Sequence, residues 1–361
     1  MVEGEQMSQT ETDRAGRTVR WRGALIAAAL LTMLSVPSGS AAAHPRMTHR
    51  VRSGGLGLDA PAGIASVGSD LFVANSGNNS ITEVSAATGT RVATISGRKF
   101  ALNRPAAILA VGSDLFVANA QGDSVTEFRA TGHKHLRTIE GTGYGFSDPV
   151  ALAASADSLY VLSAAGGVTQ VSVASGALIG SAVGPAYSFA APTGLAIADD
   201  LVFVANSASN TVTVLNATTM AFDALLSDPS FGFSTPISIA FDGTNVWVTN
   251  QSDESVTELS PSTLEPITVL VSGNLPMVGP ITYGDGYVFT VSPPGTSPMV
   301  SQIVPSPASV TWMMCNTNGP YLFNDPESLI VSGSDLWVAN EGGNSLTEMD
   351  ADSGALIRTV S

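Results

Sequence analysis

The sequence predicts an all-β chain, a seven-bladed β-propeller with four antiparallel strands per blade, and three observations carry that prediction. One proline recurs at positions 61, 105, 149, 192, 236, 280 and 326, at spacings of 44, 44, 43, 44, 44 and 46 residues. After each proline come short runs of β-branched and aromatic residues bounded by Gly, Asn, Asp and Ser, the composition of strands and turns. No window beyond the first 43 residues shows the period of an amphipathic helix.

The chain begins with a leader. Arginines at 14, 17, 20 and 22 precede the apolar run Gly23 to Val36, and the small residues Ser38 to Ala43 follow, the order of a cleaved secretion signal. That run of 14 residues is shorter than the roughly 20 needed to cross a bilayer. Arg20 and Arg22 flank Trp21, so the adjacent arginine pair of a twin-arginine signal is missing and export in an unfolded state is expected. Residues 1–43 are therefore expected to be a signal peptide, 44–55 an N-terminal segment and 56–361 a single propeller domain, secreted or associated with the cell envelope, with no membrane span after cleavage.

Within each repeat the four strands have separate signatures. The innermost carries a small residue two positions after the proline (Gly63, Ala107, Ala151, Gly194, Ser238, Thr282, Ser328), where blades crowd the axis. A second run, Leu71-Phe72-Val73-Ala74-Asn75 and its copies at 115–119, 202–206, 246–250 and 336–340, is continuously apolar before its asparagine, as a strand covered on both faces must be. A third, Ser80-Ile81-Thr82-Glu83-Val84 and its copies at 124, 255 and 345, alternates, as a partly wet strand does. A Gly-containing turn then leads to an outer run such as Val92-Ala93-Thr94-Ile95. Copies three and six are weaker, ending the second run in Ser163 and Ser292. Leu356 to Val360 aligns with the outer run of copy one and completes the last blade, although Thr48 to Val51 is in register to compete for such an edge.

The succession Pro61-x-Gly63-Ile64-Ala65, Leu71 to Asn75 and Asn79-Ser80-x-Thr82-Glu83 resembles NHL or YVTN-type propeller repeats over roughly residues 50 to 361. That resemblance implies the fold and leaves function open. Such domains are similar to binders of proteins, peptides or polysaccharides and to lyases and lactonases with sites at the channel mouth.

Charge narrows the partners. Without residues 1–43 the chain holds 11 Lys+Arg against 26 Asp+Glu, or 11 − 26 = −15, and no Lys or Arg occurs from Thr138 to Ile357. Nucleic acid binding needs clustered cations, so it is not expected. Cys315, the single cysteine, has no disulfide partner and, beside Met313 and Met314, is expected to be buried.

Metal-dependent propeller enzymes gather several oxygen or nitrogen ligands at the channel mouth. Asp148 and Asp325 stand immediately before their prolines, with Glu327 just after the seventh, but they belong to blades three and seven and cannot share one small ion. These aspartates fit turn-capping roles. The four histidines are 44, 49, 133 and 135. The fold resembles that of virginiamycin-type streptogramin lyase, whose histidine acid/base in the later blades has no counterpart here. His133 and His135 sit on an outer strand beside Lys134, a solvated arrangement. No Gly-x-Ser-x-Gly elbow or helix-borne phosphate loop is present. The recurring asparagines, at strand ends ahead of turns, are expected to bond within the hairpin. No catalytic residue, metal or cofactor is assigned.

One ring of positions stands out. Five residues before each proline lie Leu56, Phe100, Tyr144, Tyr187, Phe231, Leu275 and Tyr321, and three before lie Leu58, Leu102, Phe146, Phe189, Phe233, Met277 and Phe323. Alternation puts both sets on one side of an extended segment. They serve either to wedge the connection between blades or, at Tyr144, Tyr187, Phe231 and Tyr321, to offer part of a ring face to a ligand. The expectation is a secreted, non-catalytic binding propeller recognising an extracellular protein, peptide or glycan on one face, with Tyr144, Tyr187, Phe231, Tyr321, Asp148 and Asp325 as candidate ligand contacts. A channel-mouth lyase or lactone hydrolase is the alternative, and a purely structural envelope protein a third.

Overall fold

A computed structural model describes residues 55–271, 278–292, 299–315 and 323–361, with the side chain of Cys315 excepted. The expected signal peptide, Thr48 to Val51, Tyr321 and the burial expected of Cys315 lie outside the described residues. Within them stand 28 strands and six 3-10 turns. The strands form seven four-stranded sheets, each in the order inner, second, third, outer, and every pairing is antiparallel. The chain is a seven-bladed β-propeller.

Blade one shows the pattern: Pro61–Val67, Asp70–Asn75, Ser80–Ser85 and Arg91–Ile95. Its second strand is buried because blades cover both of its faces, and Leu71, Phe72, Val73 and Ala74 are at most 1% exposed. Each core cluster straddles two blades, as where Phe72 and Ile81 of blade one pack with Leu115 and Phe128 of blade two. Blade-to-blade burial of this kind, rather than burial within a sheet, gives the ring its cohesion.

Each inner strand touches the inner strands of both neighbours, and Pro326–Ser332 of blade seven touches Pro61–Val67 of blade one, which closes the circle. The small residues after the prolines permit this approach. A Cβ on Gly194 would lie 3.0 Å from both Ile237 O and Ser238 Cα of the next blade. Leu356–Val360 forms the outer strand of blade seven, as the C-terminal alignment predicts. Each outer strand carries a β-bulge against the third, at its second residue in every blade but the sixth, which twists its free edge.

Hydrogen bonds reinforce the closure. A turn side chain of one blade accepts the backbone N–H just before the proline of the next: Asn79 from Arg104, Asp123 from Asp148 and Asn210 from Thr235. Across the seam, Asn344 accepts from Ala60 at 2.8 Å. At the opposite end of the blades the Arg358 guanidinium pairs with Glu348 and donates to the carbonyls of Ala86 and Ala87 in blade one. Arg137 does the same between blades two and three, pairing with Glu127 and donating to Val173 and Ala174.

Candidate functional site

The segment between one blade's outer strand and the next inner strand crosses the face on which the candidate residues fall, and a repeated clamp holds it. Asn206 is fully buried and its Oδ1 accepts the Ala190 N–H at 3.2 Å, while its Nδ2 donates to Thr213 Oγ1 at 2.9 Å. Thr213 in turn donates to the Tyr187 carbonyl at 3.0 Å. Two points of one connector are thus tied through an asparagine and a threonine from different strands. Asn119 with Thr126 repeats this on Asn103 and Phe100, and Asn250 with Thr257 on Ser234 and Phe231. The asparagines bond within their hairpin, as expected, Asn206 donating to Thr211 Oγ1 at 3.3 Å, and also to the connector 16 residues back along the chain. Sequence proximity pointed to the hairpin because the connector is adjacent only in space.

The clamp explains where the aromatic residues sit. Tyr144 stacks on Phe146 at 5.4 Å, Tyr187 on Phe189 at 5.8 Å and Phe231 on Phe233 at 5.1 Å, each pair packed into the core between two blades. Phe231 is 4% exposed, whereas Tyr144 and Tyr187 are half-buried. The Tyr144 hydroxyl donates to the Gly176 carbonyl at 2.9 Å, and Tyr187 lies four residues beyond the exposed Val183.

Asp148 and Asp325 each precede a proline with φ of 54° and 48°, the left-handed region that Ala60, Arg104, Ala191 and Thr235 also occupy before theirs. The Asp325 carbonyl accepts the Glu341 N–H at 2.8 Å. The two aspartates stand in blades three and seven, and the structure does not bring them together. Among the described residues no group of three or more His, Cys, Asp or Glu is arranged to hold a metal ion.

The inner strands enclose a cavity of about 430 Å³ on the axis, lined chiefly by Ala62, Ala106, Val150, Ile237, Ile281 and the small residues beside them. Its one acidic lining group is Glu327. Burial, the Glu341 carboxylate hydrogen-bonded to it and Asp325 together push Glu327 up to about 7. Near neutral pH Glu327 therefore keeps a proton part of the time and can donate a hydrogen bond or that proton into the cavity. Glu341 was missed in the sequence, but a signal existed. The residue after each proline is uncharged in six copies (Ala62, Ala106, Val150, Thr193, Ile237, Ile281) and Glu327 breaks that column.

A second feature lies on the circumference. The outer strands Leu178–Val183, Phe222–Leu226 and Pro266–Leu270 belong to consecutive blades three, four and five. Leu178, Ile179, Val183, Phe222, Leu225, Ile267 and the following Val271 are 36 to 61% exposed. The outer strands of blades one, six and seven each expose a single apolar side chain, Val92, Met313 and Ile357, with Arg91 and Arg358 in the first and last, and blade two carries His135 and Arg137. No Lys or Arg occurs anywhere in blades three to six. Exposed apolar groups gathered on one arc mark an interaction surface.

No helix among the described residues is long and apolar enough to cross a membrane. The sequence profile of a family described as outer membrane protein assembly factor BamB matches residues 10–267. No curated protein matches the chain by sequence. Among solved structures the chain is similar to the structure of U3-55K, with a TM-score of 0.61 and 15% identity over 78% of this chain and 88% of that one. The RRP9 WD40 repeats align with a TM-score of 0.62 and 15% identity over 78% and 87% of the two chains. The computationally designed Ika8 protein aligns at 0.57 and 13% identity over 79% and 94%. Identities this low show a shared fold.

Proposed function

The chain belongs to the family described as outer membrane protein assembly factor BamB, and from that premise we propose that it is a non-catalytic interaction propeller of the cell envelope, exported by its leader. Its repeats are of NHL or YVTN type by the motifs quoted above. The partner is a protein or peptide, with a glycan the weaker choice because the offered surface is aliphatic. One observation carries this reading: the exposed apolar arc on the outer strands of blades three to five, on an acidic chain. Tyr144 and Tyr187 lie on the connectors that touch the outer strand of blade three.

Photo-cross-linking tests it. A photoreactive residue at Phe222 or Ile267 of the exported chain is expected to yield a discrete adduct, and one at Val92 in blade one is not. Equal labelling from all three positions, or none from any, refutes the reading.

One observation favours a second reading, a channel-mouth lyase or lactone hydrolase: Glu327, raised to about 7 by burial and the neighbouring Glu341, lines the axial cavity. That reading requires turnover of a small lactone or unsaturated ester that Glu327→Gln abolishes.

A further inference from the structure

We propose that the outer strand of blade three, Leu178–Val183, is a site of strand addition, taking an extended segment of a partner protein that is apolar at alternate residues and rich in lysine or arginine. The proposal rests on the interaction reading above and names its partner class.

An outer strand leaves one row of backbone N–H and C=O groups unpaired, and proteins guard such edges with charges, prolines, bulges or covering segments. This chain guards most of them. Arg91 stands on the first outer strand, His135, Arg137 and Glu140 on the second, Asp223 on the fourth, Pro266 on the fifth and Arg358 on the seventh. Blade six has neither charge nor proline in Ala308–Cys315, but its Trp312 donates to the Asp352 carbonyl and its Thr311 is bonded to Gln302, so its side chains are engaged with neighbouring elements. Leu178–Val183 has no charge, no proline and no such engagement of its exposed side chains.

Geometry supports pairing there. The bulge lies at Ile179, and beyond it Gly180, Ser181, Ala182 and Val183 pair in unbroken register with Gln170, Thr169, Val168 and Gly167. Four regular residues offer an edge to a further strand, and among the described residues no strand occupies it. Ala182 is buried and Gly180 faces Met220 of blade four, whereas Ile179, Ser181 and Val183 are exposed on the other side. An added strand would therefore gain ladder bonds from the edge and apolar contact from one face, the combination by which strand addition obtains affinity and specificity.

Charge selects the occupant. From Thr138 to Ile357 the chain has 20 Asp and Glu and no Lys or Arg, so a cationic segment is attracted and a second copy of this chain is repelled.

The test uses the exported full-length protein and synthetic nine-residue peptides alternating valine with lysine, measured by fluorescence anisotropy. An extended peptide pairs through one edge only. N-methylation of alternate residues on one edge is expected to abolish binding, and on the other edge to leave it. Val183→Lys, which adds a guard on an exposed position, is expected to weaken binding at least about tenfold, and Val92→Lys in blade one less than about twofold. Equal binding of both N-methylated peptides overturns strand addition while leaving the interaction reading intact, since side-chain docking alone would behave so. Equal affinity for a peptide alternating valine with glutamate overturns the charge assignment. No binding of the unmodified peptide at about 1 mM, or a dimer of the protein that Val183→Lys disrupts, overturns the proposal. Cross-linking from Phe222 and Ile267 is read separately and decides the broader reading by itself.

Discussion

Asn206→Ala removes the centre of the connector clamp, and its effect can be worked from the bonds it makes. The fully buried Asn206 amide donates to Thr213 Oγ1 at 2.9 Å and Thr211 Oγ1 at 3.3 Å and accepts from the half-buried Ala190 N–H at 3.2 Å. Two donated bonds contribute about 1 kcal/mol each, and the Ala190 N–H stranded without a partner costs about 1 to 2 kcal/mol more, so the substitution should destabilise by about 3 to 4 kcal/mol. For a domain of this size that lowers Tm by roughly 5 to 6 °C. The chain supplies its own control, since blade three has Ser163 at the equivalent position and its Oγ still accepts the Ser147 N–H at 3.3 Å. Asn206→Ser should therefore retain the connector bond and lose about 2 kcal/mol, close to half the alanine effect. Urea unfolding followed by tryptophan fluorescence gives both values, and amide exchange at Ala190 reports the local opening. Should Asn206→Ala fall within about 0.5 kcal/mol of the parent, or should serine be as damaging as alanine, the clamp is not what holds the connector.

Three further outcomes are expected. Gly194→Val drives its side chain into backbone atoms 3.0 Å from the Cβ position, and thermal unfolding should show a loss of about 1 to 3 kcal/mol where the inner strands of blades four and five meet. Arg358→Met leaves the buried Glu348 carboxylate unpaired at the ring seam and should cost about 3 to 5 kcal/mol by urea unfolding, with part of that loss recovered when Glu348→Gln is added. For Glu327, the folded chain holds its proton up to about 7 whereas the unfolded chain releases it near 4.5. Its contribution is thus full below pH 4.5 and lost as the pH rises through 7. Full linkage corresponds to about 3 kcal/mol, which solvent screening of this half-buried group reduces to about 1 to 2 kcal/mol. Unfolding measured at pH 5 and pH 8 should show that extra loss in the parent chain and not in Glu327→Gln.

The ring was legible in the sequence because its determinants are local and repeated. A proline every 44 residues, a small residue two places on and a continuously apolar second strand state the blade, and seven copies state the number. The same register placed the aromatic pairs at the connectors, since alternation along an extended segment is a property of the chain itself. Other features depend on which residues meet when the strands of a blade pair. Asn206 reaches Ala190 because it lies opposite Pro192 in the same blade, and Glu327 acquires its raised proton affinity from burial and from Glu341, which the pairing of Pro326 with Asn340 brings beside it. The apolar arc required burial to be known. Leu178, Ile179 and Val183 are apolar like strand residues elsewhere in the blade, and it is the outermost place of their strand in its sheet that leaves them in water. Periodicity specifies how each blade is built, because it follows from backbone geometry alone; which surface stays uncovered and which carboxyl is buried follow from how strands and blades pack.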